Sequence, residues 1–438
     1  MENIKKLWET SLALVLALLA AASASAQITS LYYKEVAKDE RIYVFNTPET
    51  LKTWQDSGEM GKSITLVGRG ENGETVVAEN ETAADLYFFR HNLDAYDRPT
   101  PKPAPAAAFP ATKIGGKVFA DFSTKSLEDE GTGIKSNDSG LGADVKRFYF
   151  TVRHDFDATW SAQFQSDIGD QGARRYEVFV KQAYVQAKLS PAATFRLGSA
   201  TAAWIPFVED IYGYRHLENT ITDRFGFGNS ADWGLHFLGT AANNKLSYAL
   251  SAENGRGFSN PGRSKNVDFE GRLAYSPVKG LTLAVGGYSG TRGLETDAAP
   301  SRHTAKRTDF LAAYGNDKWR VGGEWFETKN WNTVAMAATD KADGFSLWGS
   351  FAATEKIALF ARYDQAEPSK DLRPSLKDTY LNAGMQYRFN KSFAAALVYK
   401  HEEAKGGITS TQNGAIGSNV VGAKGKLDEA GVWLLYDF

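Results

Sequence analysis

The amino-acid sequence predicts an all-β fold: a transmembrane, antiparallel, up-and-down β-barrel of about 16 strands, preceded by a small mixed α/β domain. Three observations lead to this prediction. The chain opens with a secretory signal, most of it consists of segments in which apolar and polar residues alternate, and the connections between these segments are alternately short and long. Together they are typical of proteins that cross a bilayer with strands.

The N-terminus has the three parts of a secretory signal peptide. Lys5 and Lys6 form a basic region, Ser11–Ala22 is an uncharged run rich in Leu and Ala, and Ser23–Ala26 supplies the small residues that signal peptidase needs. The apolar run has about twelve residues, whereas a membrane-spanning helix needs about twenty. We therefore expect residues 1–26 to be a cleaved signal peptide rather than an anchor.

Composition narrows the class of protein further. The chain has no cysteine, which excludes a disulfide framework and thiolate metal sites, and its net charge of −2 gives no general attraction to nucleic acid. The mean hydropathy of −0.38 is low for a helical membrane protein. It fits a barrel, because only every second residue of a strand then faces lipid.

The rest of the chain divides into three parts. Residues 27–98 form a small domain, in which Arg41–Phe45 and Ser63–Val67 are predicted strands and Pro48–Trp54 is a short helix. Residues 99–112 are rich in Pro and Ala, which predicts an extended linker. Residues 113–438 are predicted to form the barrel.

Alternation with period two defines the predicted barrel strands. In residues 381–389, for example, Leu, Ala, Met, Tyr and Phe alternate with Asn, Gly, Gln and Arg. We predict tight turns at 155–158, 190–193, 242–244, 277–280, 315–317, 354–356 and 390–392, and long connections at 126–141, 200–231 and 402–426. The final segment alternates up to Phe438, as in strands that outer-membrane barrels present to their assembly machinery. It is expected to pair with the first strand and close the barrel.

A closed sheet of this size is too wide for side chains to fill, so an aqueous channel is expected. The lipid-facing residues are predicted to be Trp160, Phe164, Trp233, Phe237, Trp319, Trp325, Phe393 and Tyr399. The pore-lining residues are predicted to be Arg153, Arg196, Arg272, Arg307, Arg320, Arg362, Arg388, Lys400, Asp268, Glu270, Asp309, Glu324 and Asp364. The pattern leaves open whether these charges are solvated in the lumen or form ion pairs that brace the wall.

The third loop of the predicted barrel, residues 199–231, is the longest connection between the early strands and is unusually aromatic and charged for an exposed loop. Its notable residues are Trp204, Phe207, Glu209, Asp210, Arg215, Glu218 and Arg224. Such a loop is better explained by folding into the barrel and narrowing it than by exposure to water. An outward lid and a latch between subunits are the alternatives.

Short motifs flank and enter this loop: Phe195–Gly198, Pro206–Glu209, Glu218, Arg224 and Asp232–Leu235. They resemble the phosphate-selective porin O/P family of Gram-negative outer membranes over residues 113–438. The resemblance implies a homotrimer of 16-stranded barrels, each constricted by its third loop. Phosphate selectivity in that family rests on a dense ladder of Arg and Lys. Here Asp or Glu stands near four inward arginines, so we expect only a weak ion preference.

We therefore expect a porin for small hydrophilic solutes and ions in the outer membrane of a Gram-negative bacterium, with the N-terminal domain in the periplasm. Two alternatives stay open: a phosphate- or anion-selective channel, and a barrel whose N-terminal domain mainly tethers the membrane to peptidoglycan or another periplasmic partner. An enzyme is not expected, because no G-x-S-x-G or H-E-x-x-H motif is present and the histidines are scattered. The five histidines of the predicted barrel are His154, His216, His236, His303 and His401. No catalytic residue, metal ion or cofactor is predicted.

Overall fold

The computed structural model describes residues 32–94, 109–130, 132–170, 176–420 and 422–438. The predicted signal peptide, residues 1–26, and most of the predicted linker lie outside these ranges. The chain forms two compact units, which divide between residues 106 and 107. No helix within the described ranges is long and apolar enough to cross a membrane.

The N-terminal unit is a four-stranded sheet with two helices. Its elements are β1 (Lys34–Lys38), β2 (Arg41–Phe45), α1 (Pro48–Ser57), β3 (Ile64–Leu66), β4 (Thr75–Ala78) and α2 (Glu81–Arg90). The strand order is β1-β2-β4-β3, and only β2 and β4 are parallel. Helix α1 begins where the side chain of Thr47 accepts a hydrogen bond from the amide of Thr50, and it ends at Gly58, whose φ of +77° is left-handed.

The second unit is a closed antiparallel barrel of 16 strands, which confirms the predicted fold class. The wall strands are β5 (Ala111–Asp129), β7 (Gly140–Asp155), β8 (Trp160–Asp170), β9 (Tyr176–Ser190), β10 (Ala193–Thr201), β11 (Ala231–Ala241), β12 (Leu246–Glu253), β13 (Asp268–Tyr275), β14 (Leu281–Gly290), β15 (Ala305–Gly315), β16 (Trp319–Lys329), β17 (Lys341–Ala352), β18 (Ile357–Glu367), β19 (Lys377–Arg388), β20 (Phe393–Lys405) and β23 (Lys424–Asp437). The last strand pairs with the first, with Tyr436 opposite Val118, and this pairing closes the sheet.

Shorter elements lie in the connections. Strand β6 (Ile134–Lys135) pairs with the end of β5, and β21 (Thr409–Thr411) and β22 (Gly414–Ile416) form a hairpin in the last loop. Helices α3 (Ile205–Tyr212) and α4 (Ile221–Arg224) belong to the third loop. These two helices and the hairpin contribute residues to the candidate functional site.

All seven predicted tight turns join consecutive strands, and they define one end of the barrel, called here the turn end. The opposite end, called the loop end, carries connections that are mostly longer. Two predicted loops are shorter than expected, because alternation and pairing continue beyond the apolar part of the strands. Glu402 belongs to β20 and Lys426 to β23, and Ser126 is still within β5.

Side chains alternate between the two faces of the wall. On β13, for example, Phe269 and Leu273 are exposed on the outer face, whereas Asp268 and Glu270 are buried on the inner face. Five predicted lipid-facing residues are exposed: Trp160, Phe164, Trp319, Trp325 and Tyr399. The other three, Trp233, Phe237 and Phe393, are partly exposed.

Candidate functional site

The third loop, residues 202–230, packs against the inner wall of the barrel. Pro206 stands in the first turn of α3, where a missing N–H costs no hydrogen bond, and Gly213 ends the helix with a φ of +77°. The packed loop residues are Trp204, Ile205, Val208, Tyr212, Tyr214 and Leu217, and the wall residues include Trp348, Phe360, Val398 and Trp433. Burial of this apolar surface holds the loop against the side of the lumen formed by β13–β23.

Arg224, at the end of α4, is fully buried among three carboxylates of the wall. Its Nε lies 3.3 Å from an oxygen of Asp364, its Nη2 donates to Asp378 at 3.0 Å, and its Nη1 donates to Glu402. The ring of Tyr380 lies 4.7 Å from the guanidinium carbon. Because a buried charge needs such partners, Arg224 fastens the loop to β18, β19 and β20.

The hairpin of the last loop completes this anchor. The amide of Gln412 donates to the carbonyl of Arg224 at 3.0 Å. The carboxylate of Glu402 accepts further hydrogen bonds from Thr411 Oγ1 at 3.1 Å and from Asn413 Nδ2 at 2.7 Å. The third and last loops are therefore joined through one buried ion cluster.

Several predicted pore-lining residues bind the backbone of the third loop. Three basic side chains donate to carbonyls of the loop: Arg307 to Phe227 at 2.6 Å, Arg362 to Asn219 at 2.5 Å, and Lys400 to Leu217 at 2.8 Å. Two acidic side chains accept from amides of the loop, each at 3.0 Å: Glu270 from Ala203 and Glu324 from Ile221. All five charged side chains are buried. The sequence left open whether the pore-lining charges are solvated in the lumen or brace the wall. These five side chains brace the wall and the loop.

The remaining predicted inward acids, Asp268, Asp309 and Asp364, also have partners. Asp309 pairs with Arg307 at 2.9 Å, and Asp364 pairs with Arg362 at 2.6 Å. Asp268 accepts hydrogen bonds from the amides of Thr291 and Gly293, at 2.7 and 3.0 Å. These acids therefore do not present free negative charge to the lumen, although the sequence alone suggests that they cancel the field of the arginines.

Two predicted constriction residues, Glu218 and Arg224, likewise do not point freely into the lumen. Glu218 is buried, and its carboxylate lies 3.4 Å from Lys400 Nζ and accepts from Tyr380 at 3.1 Å. Burial raises the pKa of Glu218, but the positive charges of Lys400 and Lys146 outweigh this effect and lower the pKa to about 2. Its negative charge is therefore retained inside an ion pair with the wall.

The other predicted constriction residues lie on or near α3. Trp204 is fully buried, Phe207 is partly buried, and Asp210 is exposed. Glu209 pairs with Arg215, whose Nη2 also lies 3.6 Å from Asp223. The loop thus carries internally paired charges rather than the free acidic surface that its composition suggests. Burial lowers the pKa of His216 to about 4, so this side chain adds no charge at neutral pH.

The arginines nearest the turn end have a different environment. Arg196 donates to Gln186 at 2.9 Å and to Thr201 at 3.1 Å, which are both neutral groups. Arg272 donates to the carbonyl of Ala203 at 3.0 Å and stacks 3.8 Å above the ring of Phe207. Both arginine side chains are partly exposed to solvent.

The remaining three arginines of this group are at least partly exposed. They are Arg153, Arg320 and Arg388. Arg320 reaches the carbonyl of Tyr212 at 3.3 Å, and Arg153 pairs with Asp155 at 2.8 Å. In the part of the chain that the structure describes, Arg196, Arg272, Arg320 and Arg388 have no carboxylate within ion-pair distance.

Two β-bulges add basic residues that the sequence analysis missed. The pairing of β5 with β7 shifts at Phe119/Ala120, and as a result the adjacent Lys146 and Arg147 both reach inward acids, at 3.6 Å from Asp121 and 3.7 Å from Asp167. A bulge places an extra residue in one strand, so strict alternation fails there. The signal in the sequence is the pair of adjacent charged residues within a strand.

The second bulge lies between β8 and β9, at Gln165/Ser166, and its extra residue is Lys181. Both Lys181 and Gln182 are buried on the inner side, and Lys181 Nζ donates to the hydroxyl of Tyr149 at 3.1 Å. The inner wall at β7 and β9 is therefore rich in Lys and Arg. Lys146, Arg147 and Lys181 are the members of this group, called here the basic wall.

Comparison with known proteins shows the fold. No protein-family model matches the chain, and no curated protein is significantly similar to it. Among solved structures, an anion-selective porin from Comamonas acidovorans superimposes with a TM-score of 0.55 and 12% identity, over 75% of this chain and 99% of that one. OmpF of Salmonella typhi, solved in complex with daunomycin, gives 0.50 and 14%, over 75% and 98%. The outer-membrane channel DcaP of Acinetobacter baumannii gives 0.50 and 10%, over 75% and 97%.

At these identities the similarity establishes a shared porin-type barrel. The resemblance to the phosphate-selective O/P family is thus supported only at the coarser level of porin barrels.

Proposed function

We propose that this chain is a Gram-negative outer-membrane porin, through which small hydrophilic solutes and ions diffuse passively. The observation that carries the proposal is a closed 16-strand barrel with an apolar outer face and a charged, hydrogen-bonding inner face. Barrels of this strand number leave an aqueous lumen, because side chains alone cannot fill them.

The outer face supports a membrane location. Leu235, Phe269, Leu347 and Leu397 are each more than half exposed, and comparable apolar residues recur on successive strands. Such a surface would be unfavourable in water, whereas a bilayer covers it without leaving backbone groups unpaired, since every strand has two neighbours. We place the turn end and the N-terminal domain in the periplasm, where that domain can bind peptidoglycan or another periplasmic partner. We further propose the homotrimer that the family resemblance implies.

The third loop is proposed to narrow the channel. Its helices lie against β13–β23, so the water-filled path would run between the loop and the basic wall. Glu209, Arg215 and Asp223 would form the loop side of this narrow region. Lys146, Arg147 and Lys181 would form the opposite side.

We propose a modest preference for anions. The predicted inward acids are buried, whereas Lys146, Arg147 and the arginines near the turn end are at least partly exposed to solvent. Fixed positive charge beside a narrow aqueous path raises the local concentration of anions. The sequence predicts a weak ion preference with only partial cancellation of the arginine charges, and burial of the predicted inward acids favours a bias towards anions.

Planar-bilayer recordings test the proposal. The folded protein should give stable conductance steps, and the reversal potential in a tenfold KCl gradient should correspond to a chloride-to-potassium permeability ratio of about 2–5. The double variant Lys146→Gln/Lys181→Gln should conduct with a ratio closer to one. The matched control is Lys306→Gln/Lys329→Gln, which removes two exposed charges from the outer face at the loop end and should leave the ratio unchanged.

Two results would contradict the proposal at different levels. Absence of conductance from protein with a β-rich circular-dichroism spectrum would exclude a porin. Cation selectivity, or a ratio that does not respond to the basic-wall variant, would exclude the proposed origin of the anion preference.

A further inference from the structure

The inner wall of β7, β8 and β9 carries a group of neutral side chains that form hydrogen bonds. Four of the ten glutamines of the chain lie on β8 and β9, two or four residues apart on each strand, so they share one face of the wall. This face is the inner one, since Phe164 and Val185 on the opposite face are exposed. The members of this group, called here the amide patch, are Thr151, Ser161, Gln163, Gln165, Gln182, Tyr184 and Gln186.

Strand pairing brings these side chains together. Gln165 stands directly opposite Thr151 on one side and opposite Gln182 on the other, and Gln163 stands opposite Tyr184. With strands about 4.8 Å apart and a rise of about 3.4 Å per residue, the group covers roughly 10 by 13 Å of the wall. The amide patch is therefore one continuous surface rather than a set of isolated polar positions.

Hydrogen bonds within the amide patch hold its side chains in place. Gln163 Nε2 donates to Gln182 Oε1 at 2.6 Å, and Gln165 Nε2 donates to Thr151 Oγ1 at 2.7 Å. A primary amide has two N–H donors and a carbonyl oxygen that accepts hydrogen bonds. The Oε1 atoms of Gln163 and Gln165 take no part in these two contacts, and both side chains are partly exposed. The amide patch is therefore ordered before a solute arrives and keeps hydrogen-bonding groups for it.

The amide patch contains no carboxylate, guanidinium or ammonium group. Arg153 and Arg196 border it towards the turn end, and Lys181 borders it towards the loop end. Arg153 pairs with Asp155 at 2.8 Å, and Arg196 donates to Gln186 Oε1 at 2.9 Å. The inward face of β13–β20, by contrast, carries the buried ion pairs described above. Hydrogen bonding rather than charge is therefore what the amide patch offers to a solute.

A sugar hydroxyl both donates and accepts a hydrogen bond, as the amides and hydroxyls of the amide patch also do when taken together. Several such groups at fixed spacing can bind neighbouring hydroxyls of one solute at the same time. An ion gains less from neutral groups, because they do not compensate its charge. The chemistry of this surface thus matches an uncharged solute with many hydroxyls.

We propose that the amide patch is a weak, reversible binding site for neutral polyhydroxylated solutes of the sugar class. This inference rests on the proposed porin function and assigns to it a preferred class of solute. Passive diffusion alone requires no binding site, so the inference goes beyond that function. Binding has to be weak, because a solute that crosses the channel must also leave the site.

The experiment is block of the chloride current in planar bilayers by maltose, an uncharged disaccharide. A polyethylene glycol oligomer of similar mass is the control solute, since it accepts hydrogen bonds through ether oxygens but has donors only at its two ends. Maltose should reduce the current in a saturable manner, because a limited number of sites is filled. The polyethylene glycol should reduce the current without saturation.

Two double variants remove hydrogen-bonded pairs as units, so that no partner is left unsatisfied. They are Gln163→Leu/Gln182→Leu and Thr151→Val/Gln165→Leu. Each should raise the maltose concentration for half-maximal block about tenfold, because on the order of one to two hydrogen bonds to the sugar are lost. The matched control is Gln365→Leu/Thr379→Val, which removes a facing pair from the outer face of β18 and β19 and should leave the block unchanged.

Heat-modifiable mobility on gels shows that each variant has folded. Equal reduction of the current by maltose and by the polyethylene glycol overturns the binding site, and this comparison needs only the unmodified protein. Maltose block that both folded variants leave unchanged also overturns it, while the porin function stands. Absence of conductance from the folded, unmodified protein overturns the porin function itself.

Discussion

The inner wall has a loop half, towards the loop end, and a turn half, towards the turn end. The two halves use the same residue types in opposite ways. Arg362 on β18 and Arg388 on β19 both point inward from neighbouring strands. Arg362, towards the loop end, is buried, paired with Asp364 and bound to the loop backbone, whereas Arg388, at the turn end, is exposed. The difference arises because the third loop covers one arginine and not the other.

An inward charge has two separate properties, the face of the wall on which it lies and its access to water, and strand alternation determines only the first. Alternation decides which face of the wall a residue occupies. Access to water decides whether an inward charge can act on a passing ion, and that access depends on what packs over it. The inward charges described in the loop half are therefore structural, whereas the arginines described in the turn half are at least partly exposed to solvent.

The largest expected effect comes from removing the central anchor of the loop half. Arg224→Met leaves Asp364, Asp378 and Glu402 buried without their shared cation, which should lower the free energy of unfolding by about 3–5 kcal/mol. Arg320→Met at the turn end should change it by less than about 0.5 kcal/mol, as exposed substitutions usually do. Urea unfolding in lipid vesicles measures both values. Similar losses in the two variants would break the distinction between the halves.

An intermediate effect is expected in thiol accessibility, since the chain has no native cysteine. Arg388→Cys should react readily with a small hydrophilic reagent. Ser346→Cys, on an inward but buried position of β17, should react on the order of a hundredfold more slowly, because the reagent must wait for local opening.

Leu359→Cys, on the outer face, is the control for shielding by lipid and should be unreactive in vesicles. Rapid reaction at Ser346→Cys would show that water reaches the inward side chains of the loop half. Reaction at Leu359→Cys, together with protection at Arg388→Cys, would show that the inward and outward faces are reversed.

The smallest effect is expected for a partly exposed ion-pair cluster in the N-terminal unit. Glu35 and Glu71 accept from the two ring nitrogens of His91, each at 2.9 Å. The hydrogen bond to Glu35 is the main cause that raises the pKa of His91 above its usual value, and burial partly opposes it. These contacts should stabilise the domain below about pH 6.5 and lose their effect as the pH rises through the raised pKa.

The difference should stay below about 1 kcal/mol, because solvent screens half-exposed pairs. Limited proteolysis of the full chain in urea measures the unfolding midpoint of this domain at about pH 5.5 and about pH 8, on either side of the ordinary histidine pKa. The midpoint should be higher at the lower pH. His91→Gln, which loses the charge, should abolish that difference, and a difference that persists in the variant would assign it to another group.

Much of the barrel could be predicted because its determinants are local. The turn at Asn243 and Asn244 and the alternation in β13 depend on neighbouring residues alone, so short segments of sequence reveal them. The positions of Lys146 and Lys181 could not be predicted in this way. Each results from a bulge, and a bulge depends on the register of the partner strand as well as on the strand itself.

The sequence by itself determined the all-β architecture, the strand number and the seven turns, because these follow from a period of two and from turn chemistry. Only the tertiary structure decided which of the inward charges reach water. Arg224 meets Asp364, Asp378 and Glu402, residues at least 140 positions away in the chain. That meeting depends on the apolar residues that dock the third loop on one side of the barrel, and no local pattern in the sequence encodes which side it covers.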